Sequence, residues 1–307
     1  MSLPNIPLGD GSLRTSRIAY GCWRIAPDPD FARTRGRNAV IAAYEAGYTL
    51  FDHADIYGDG LAESAFGEVL SGVPGMRDRI LIATKCGVRR PDASAPYRYD
   101  LSREHILRSC EDSLRRLQIE RIDLYQLHRP DWLLDPTEVA AAFDELHQSG
   151  KVGGFGVSNF SPSQFTALQR ACPMKLQVHQ VEISLTQRAA FTDGTLDQCL
   201  TDSITPLAWS PLAGGLLADD ARRLLPQQEF YRMTELLRTV DELATDLGAT
   251  RAGIALAWLL RHPAMIVPLV GSVEPDRIRA ASHSAQIELS RGDWYRLLEA
   301  ARGERLP

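Results

Sequence analysis

Short apolar runs alternate with longer amphipathic stretches from one end of the 307-residue chain to the other. The runs near 18–21, 49–52, 80–85, 124–127, 154–157, 178–181, 205–209 and 266–270 read as strands. Between them, apolar positions recur at helical spacing, most clearly over 37–46, 103–117, 136–149, 162–171 and 234–247. Local signals bound these helices. Ser102 can cap the one beginning at Arg103, Gly47 and Gly150 stand just past helix ends, and Ser161 followed by Pro162 opens another. Eight strands, each followed by a helix, predict an α/β chain whose parallel sheet closes into a (β/α)8 TIM barrel. The tight turn Leu8-Gly9-Asp10-Gly11-Ser12 adds a short N-terminal β-hairpin. No composition break divides the chain, so residues 1–307 are expected to form a single domain. The loops over 87–100, 129–135 and 210–230 look long. A doubly wound open sheet is the competing architecture, but it normally carries GxGxxG after its first strand, and none is found.

A barrel sets its chemistry at the C-terminal ends of its strands. Phe51-Asp52-His53-Ala54-Asp55-Ile56-Tyr57-Gly58 follows the second strand, Thr84-Lys85-Cys86-Gly87 ends the third, and Leu127-His128-Arg129-Pro130 ends the fourth. Asp52, Tyr57, Lys85 and His128 should therefore converge over one side of the barrel mouth. Reducing a carbonyl requires a hydride on carbon and a proton on oxygen. A tyrosine with a pKa of ~10 is a slow donor near neutrality, and a nearby ammonium lowers that value. Lys85 can supply the ammonium, Asp52 can hold it and offset its desolvation, and His128 can orient the carbonyl by a hydrogen bond. The hydride must come from a cofactor.

Composition narrows the alternatives. With 34 basic and 39 acidic residues the net charge is −5, which argues against nucleic acid or an anionic membrane as the main partner. No run of ~18 apolar residues suggests a membrane span. The N-terminus shows no charged segment leading into an apolar one, so a cytoplasmic location is expected. The five cysteines (Cys22, Cys86, Cys110, Cys172, Cys199) form no CxxC pair, and neither HxH nor HExxH occurs, so reduced thiols and no metal site are expected. Only three of the 34 basic residues are lysines, which draws attention to Lys85, because an ammonium responds to its surroundings where a guanidinium does not.

Other strand ends suit a cofactor. Ser158 and Asn159 after the fifth strand, and Gln180 in the sixth, can hydrogen-bond a carboxamide. Trp209 can stack on a flat ring, and Gly214 and Gly215 beyond it let backbone approach a phosphate. After the eighth strand, Gly271-Ser272-Val273-Glu274-Pro275-Asp276-Arg277 begins a helix whose first amides face an anion, with Arg277 one turn in.

These residues resemble the aldo/keto reductase superfamily. FDHADIYG, TKCG, LHRP, GVSNF, HQVEIS, AWSPLAGG and VGSVEPDRIRAA occur in order across nearly the whole chain. In detail, HADIYG, HQSGKV, FGVSNF, GTLDQ, AWS and the ending DWYRLLEAARGERLP are similar to the YdhF-type bacterial oxidoreductases within it. The resemblance implies a catalytic tetrad of Asp52, Tyr57, Lys85 and His128, with NADP(H) lying extended across the barrel mouth. It implies that Ser158, Asn159 and Gln180 hold the nicotinamide amide, with Trp209 stacked on the ring. Gly21, Cys22 and Trp23 would line the nicotinamide and substrate end. Ser210, Leu212 and Gly214 would meet the pyrophosphate, and Ser272 and Arg277 the 2′-phosphate. Where many members carry a lysine just before that serine, this chain has Gly271, and Glu274 adds a nearby negative charge. Preference for NADP(H) therefore rests on Ser272 and Arg277, and use of NAD(H) stays open.

The expected partner is a small-molecule carbonyl compound, and the chain a monomer or weak homo-oligomer. Trp23, Tyr57, His128, Trp132 and Trp209 should wall the pocket, which favours apolar or aromatic carbonyls. Arg89 and Arg129 could draw a carboxylate. Only 301–307 follow the last helix, so an open pocket with broad activity is expected. Three rival readings exist. A Schiff-base lyase using Lys85 leaves Trp209, Gln180 and the segment 271–277 without a role. A non-catalytic nicotinamide-binding regulatory protein has no need of the complete tetrad. A metal hydrolase using Asp52, Asp55, His128 and His179 lacks the ligand spacing.

Overall fold

The computed structural model describes residues 3–91, 95–219 and 233–306. The chain opens with β1 (Asn5–Leu8) and β2 (Leu13–Ser16), paired antiparallel as a hairpin. The strands β3 (Ala19–Gly21), β4 (Leu50–Asp52) and β5 (Leu81–Cys86) follow. A two-stranded ribbon, β6 (Val88–Arg89) with β7 (Arg98–Tyr99), rises from the loop after β5. Then come β8 (Ile122–Leu127), β9 (Val152–Ser158), β10 (Leu176–Glu182), β11 (Thr205–Trp209) and β12 (Val267–Val270). Leaving out the hairpin and ribbon, eight strands pair in parallel and in sequence order, and β12 returns to β3 to close the barrel. Each lies within two residues of its expected span. Of the loops expected to be long, residues 92–94 and 220–230 fall outside the described residues.

The hairpin seals the N-terminal end of the barrel. Ile6 and Leu8 join Leu50, Leu124, Val178 and Leu207 in one buried interior cluster. Gly9 N donates to Thr205 Oγ1 at 2.9 Å, and Gln177 Nε2 to Ser12 Oγ at 2.7 Å. A Cβ on Gly9 would stand 2.7 Å from the Cα of Gln177, so the plug seats only with glycine there. That end is filled, and the ligand-sized cleft lies at the opposite mouth.

Helices cover the outside. Arg103–Leu117 starts where Ser102 accepts from His105 N, and Pro162–Ala171 where Ser161 and Gln164 form a capping box. Their apolar faces bury against the strands; Phe143 and Phe155 stack 4.2 Å apart between the helix Pro136–Gln148 and β9. Among the described residues no helix is long and apolar enough to cross a membrane.

Before the first full helix, Arg37–Glu45, a short turn at Pro29–Phe31 runs into a π-helical turn, Ala32–Gly36. There a Cβ on Gly36 would sit 1.9 Å from the carbonyl oxygen of Ile25, although its φ of −62° is ordinary. Close approach, not backbone freedom, requires the glycine. Gly36→Ala is expected to destabilise the fold by about 2–3 kcal/mol through overpacking against backbone. Urea unfolding measures this, and an unchanged midpoint would contradict it.

Candidate active site

Strand register sets the ends of β4, β5 and β8 side by side, with Asp52 opposite Ala83 and Lys85 opposite Gln126. Lys85 is fully buried, and its ammonium donates to Asp52 Oδ2 at 2.7 Å, the His53 carbonyl at 2.6 Å and Tyr57 Oη at 3.3 Å. All three of its donors are thus engaged. Asp52, also buried, accepts in addition from Gln180 Nε2 at 2.9 Å and Gln126 Nε2 at 3.4 Å. Such satisfaction is what allows an ion pair to persist out of water. Tyr57 opens a single turn, Tyr57–Gly60, and its ring meets His128 edge-on at 5.9 Å. Because the phenol oxygen accepts from Lys85, its own hydrogen is left for another acceptor. Tyr57 and His128 both line an open cleft.

Burial opposes charge on Lys85, but Asp52 and Tyr57 outweigh it and hold the ammonium above its ordinary value. Burial drops His128 well below the usual histidine range, with Lys85 and Arg129 pushing the same way, so its ring is neutral near pH 7. Lys85 acts on Tyr57 in the expected direction, but burial outweighs it. Burial raises the phenol, Lys85 pulls it down, Asp52 raises it further, and the net direction is up. Tyr57 therefore keeps its proton throughout the neutral range.

Beside this group, Asp55 faces Glu63, whose carboxylate accepts from Thr84 and from Arg116 Nε at 2.7 Å. Burial, and then Glu63, push the Asp55 carboxyl up to about 7, and its Oδ1 finds no hydrogen-bond partner among the described residues. This value lies above the ordinary 3.8, so the folded chain keeps a proton that the unfolded chain has released. Stability from this group is present below about pH 4 and is lost as pH rises to about 7. Asp55→Asn is expected to remove that loss. Across the window the wild type should fall relative to the variant by roughly 2–4 kcal/mol in urea unfolding. Parallel stability curves would contradict it.

The cleft has a volume of about 1000 Å³ and follows the strand ends. Gly21, Trp23, Ser158, Asn159, Gln180 and Trp209 line it, as do Ser210, Leu212, Gly214, Gly271, Ser272 and Arg277. Asn159 (φ 61°) and Ser210 (φ 49°) hold left-handed backbone, a strain that non-glycine residues show at ligand sites. Asn159 Nδ2 donates to Ser158 Oγ at 2.7 Å, and its Oδ1 accepts from Trp209 Nε1 at 3.1 Å, which fixes the indole. The Arg129 guanidinium lies 5.7 Å from the centre of that indole. At the far end, Tyr20 Oη donates to the Ser272 carbonyl at 2.8 Å, and Glu274 N to Ser272 Oγ at 3.2 Å. The Glu274 carboxylate pairs with Arg35, so the acidic charge expected beside the phosphate is compensated.

Three expected positions fall elsewhere. Cys22 is fully buried in the apolar cluster with Tyr20 and Ile25 and does not line the cleft. Trp132 is 89% exposed and outside the lining. Asp131 explains this: it accepts from Leu101 N and Leu133 N, at 3.0 and 2.9 Å, and curls its loop so that the indole faces solvent. Arg89 pairs with Asp100 at 3.0 Å, and Arg90 lines the cleft in its place. Residues alternate in facing along a strand, so Val88 and Arg90 share the inner face of the ribbon. Recognising the strand Val88–Arg89 would have pointed to this alternation. Arg24, Tyr97 and Thr250 also line the cleft without having been expected to. Arg90 is itself paired with Asp59 at 2.7 Å, and the walls are more polar, and less indole-rich, than the sequence suggests.

A model of the aldo/keto reductase family matches residues 17–302. The chain is 42% identical to 6-dehydroglucose reductase of Novosphingobium aromaticivorans, covering 98% of this chain and 96% of that protein. It is 39% identical to Oxidoreductase YdhF of Escherichia coli over 95% of each. An aldo/keto reductase from Klebsiella pneumoniae, solved in complex with NADP and acetate, matches with a TM-score of 0.77 at 25% identity, over 99% of this chain and 96% of that one. Barrel, cleft and sequence agree, and the chain belongs to the aldo/keto reductase family of oxidoreductases.

Proposed function

We propose that this protein uses NADPH to reduce the aldehyde of a small polar molecule to an alcohol, with Tyr57 as the proton donor. One observation carries the reading: the Tyr57 hydroxyl stands 3.3 Å from the Lys85 ammonium, itself 2.7 Å from Asp52, beside a cleft roomy enough for a dinucleotide. Trp209 would hold a reduced nicotinamide, which would supply the hydride. The residues of the chain do the rest. Neutral His128 donates a hydrogen bond to the substrate carbonyl and orients it. Tyr57 gives its proton to that oxygen as negative charge develops there, and Lys85 stabilises the phenolate left behind. Asp52 holds Lys85 in place.

Ser158, Asn159 and Gln180 suit the carboxamide, although Gln180 has already committed one N–H to Asp52. Ser210, Leu212 and Gly214 suit the pyrophosphate, and Ser272 and Arg277 the 2′-phosphate, at a helix start where anions are favoured. Arg24, Arg129 and Tyr97, with Arg90 held by Asp59, favour a hydroxylated aldehyde over an aromatic one. Similarity to a 6-dehydroglucose reductase supports a sugar aldehyde. The lyase reading fares worse, because a nucleophilic lysine needs a lowered pKa and Lys85 is held the other way.

Titration with NADPH and, separately, NADH tests the cofactor, following tryptophan emission from Trp23 and Trp209. Saturable quenching, tighter for NADPH, is expected. Tighter binding of NADH would overturn the phosphate assignment, and no binding of either would remove the hydride source.

A further inference from the structure

We propose that Arg35 is a specificity-determining residue for the phosphorylated dinucleotide and that it acts through Glu274. This rests on the NADPH reading above. Glu274 is the residue before the first turn of the helix Pro275–Ser282, lines the cleft, and stands three positions ahead of Arg277. An uncompensated carboxylate here would repel a phosphate arriving at the same helix start. The other acid of that turn, Asp276, is already paired with Arg279 at 2.7 Å. Glu274 has no such partner within its own helix; its carboxylate takes the guanidinium of Arg35, which comes from 239 residues earlier in the chain.

The reach of Arg35 is built into the local fold. It lies in the π-helical turn Ala32–Gly36, a distortion often found at functional sites. Gly36, with no side chain, lets that turn press on the Ile25 carbonyl beside the barrel mouth. The guanidinium also rests 5.3 Å over the ring of Phe31, which limits where it can swing. Arg35 does not line the cleft, so it is a positioning residue rather than a phosphate ligand. With Glu274 neutralised and making no side-chain cap, the first-turn amides are left to meet the phosphate, beside Arg277 in the cleft lining.

The test compares dissociation constants for NADPH and NADH in the wild type, Arg35→Ala, Glu274→Gln and the double variant, at low and high salt. Arg35→Ala is expected to weaken NADPH about fivefold and leave NADH unchanged, since the pair is half-exposed. Added salt should shrink the effect. Glu274→Gln should bind NADPH at least as tightly as wild type, and the double variant should recover wild-type preference. Equal weakening of both cofactors in Arg35→Ala, no change in either, or no recovery in the double variant would overturn the proposal. A wild type that does not favour NADPH would instead overturn the cofactor reading, and this inference with it.

Discussion

Tyr57→Phe is expected to lower kcat by roughly two to four orders of magnitude while NADPH affinity stays within about twofold of wild type. The substitution removes one oxygen and leaves the ring, with its edge-on contact to His128, in place. The 3.3 Å hydrogen bond from Lys85 goes, and with it the phenol that stands beside His128. Residual turnover would come from His128 and bound water. Because the phenol lies above its ordinary value, wild-type reduction should hold through neutral pH and fail only on the alkaline side. Steady-state kinetics and tryptophan quenching on the same preparation separate the two effects. Normal kcat in the variant would remove Tyr57 from its role.

Lys85→Met should be as inactive and, unlike Tyr57→Phe, should also destabilise the fold. Lys85 is fully buried, so its loss strands the Asp52 carboxylate with only the amides of Gln126 and Gln180. Breaking one side of a buried ion pair costs about 3–5 kcal/mol. Adding Asp52→Asn removes the stranded charge, so the double variant should regain most of the stability and none of the turnover. Chemical unfolding and kcat measured together test both halves. A stable single variant would mean that the pair is not held in a low dielectric, and an active double variant would show that the ammonium is dispensable.

The barrel was legible because its strands are short, apolar and regularly spaced, and its helices amphipathic with clear caps such as Ser102 and Ser161. Arg251–Leu260 did not stand out: Gly253 through Leu259 are all buried, so no polar face marks its period. Leu61–Gly72 has no capping side chain and carries a glycine at its middle. The tetrad could be read from strand ends alone, since one register brings Asp52, Lys85 and His128 together. Loop geometry could not. Trp132 is turned outward by hydrogen bonds to Asp131, and the ribbon that exchanges Arg89 for Arg90 is only two residues per strand. The pairing of Arg35 with Glu274 joins distant segments and leaves no local signal.

Carbonyl reduction itself is tested most directly by mixing the protein with NADPH and 6-dehydroglucose and following the reduced-nicotinamide absorbance together with the product. The expected result is oxidation of NADPH matched mole for mole by the corresponding alcohol, dependent on the aldehyde and lost in Tyr57→Phe. Saturable NADPH binding with no oxidation, by that sugar or by a panel of aliphatic and aromatic aldehydes and ketones, would contradict it and favour a nicotinamide-binding regulatory role.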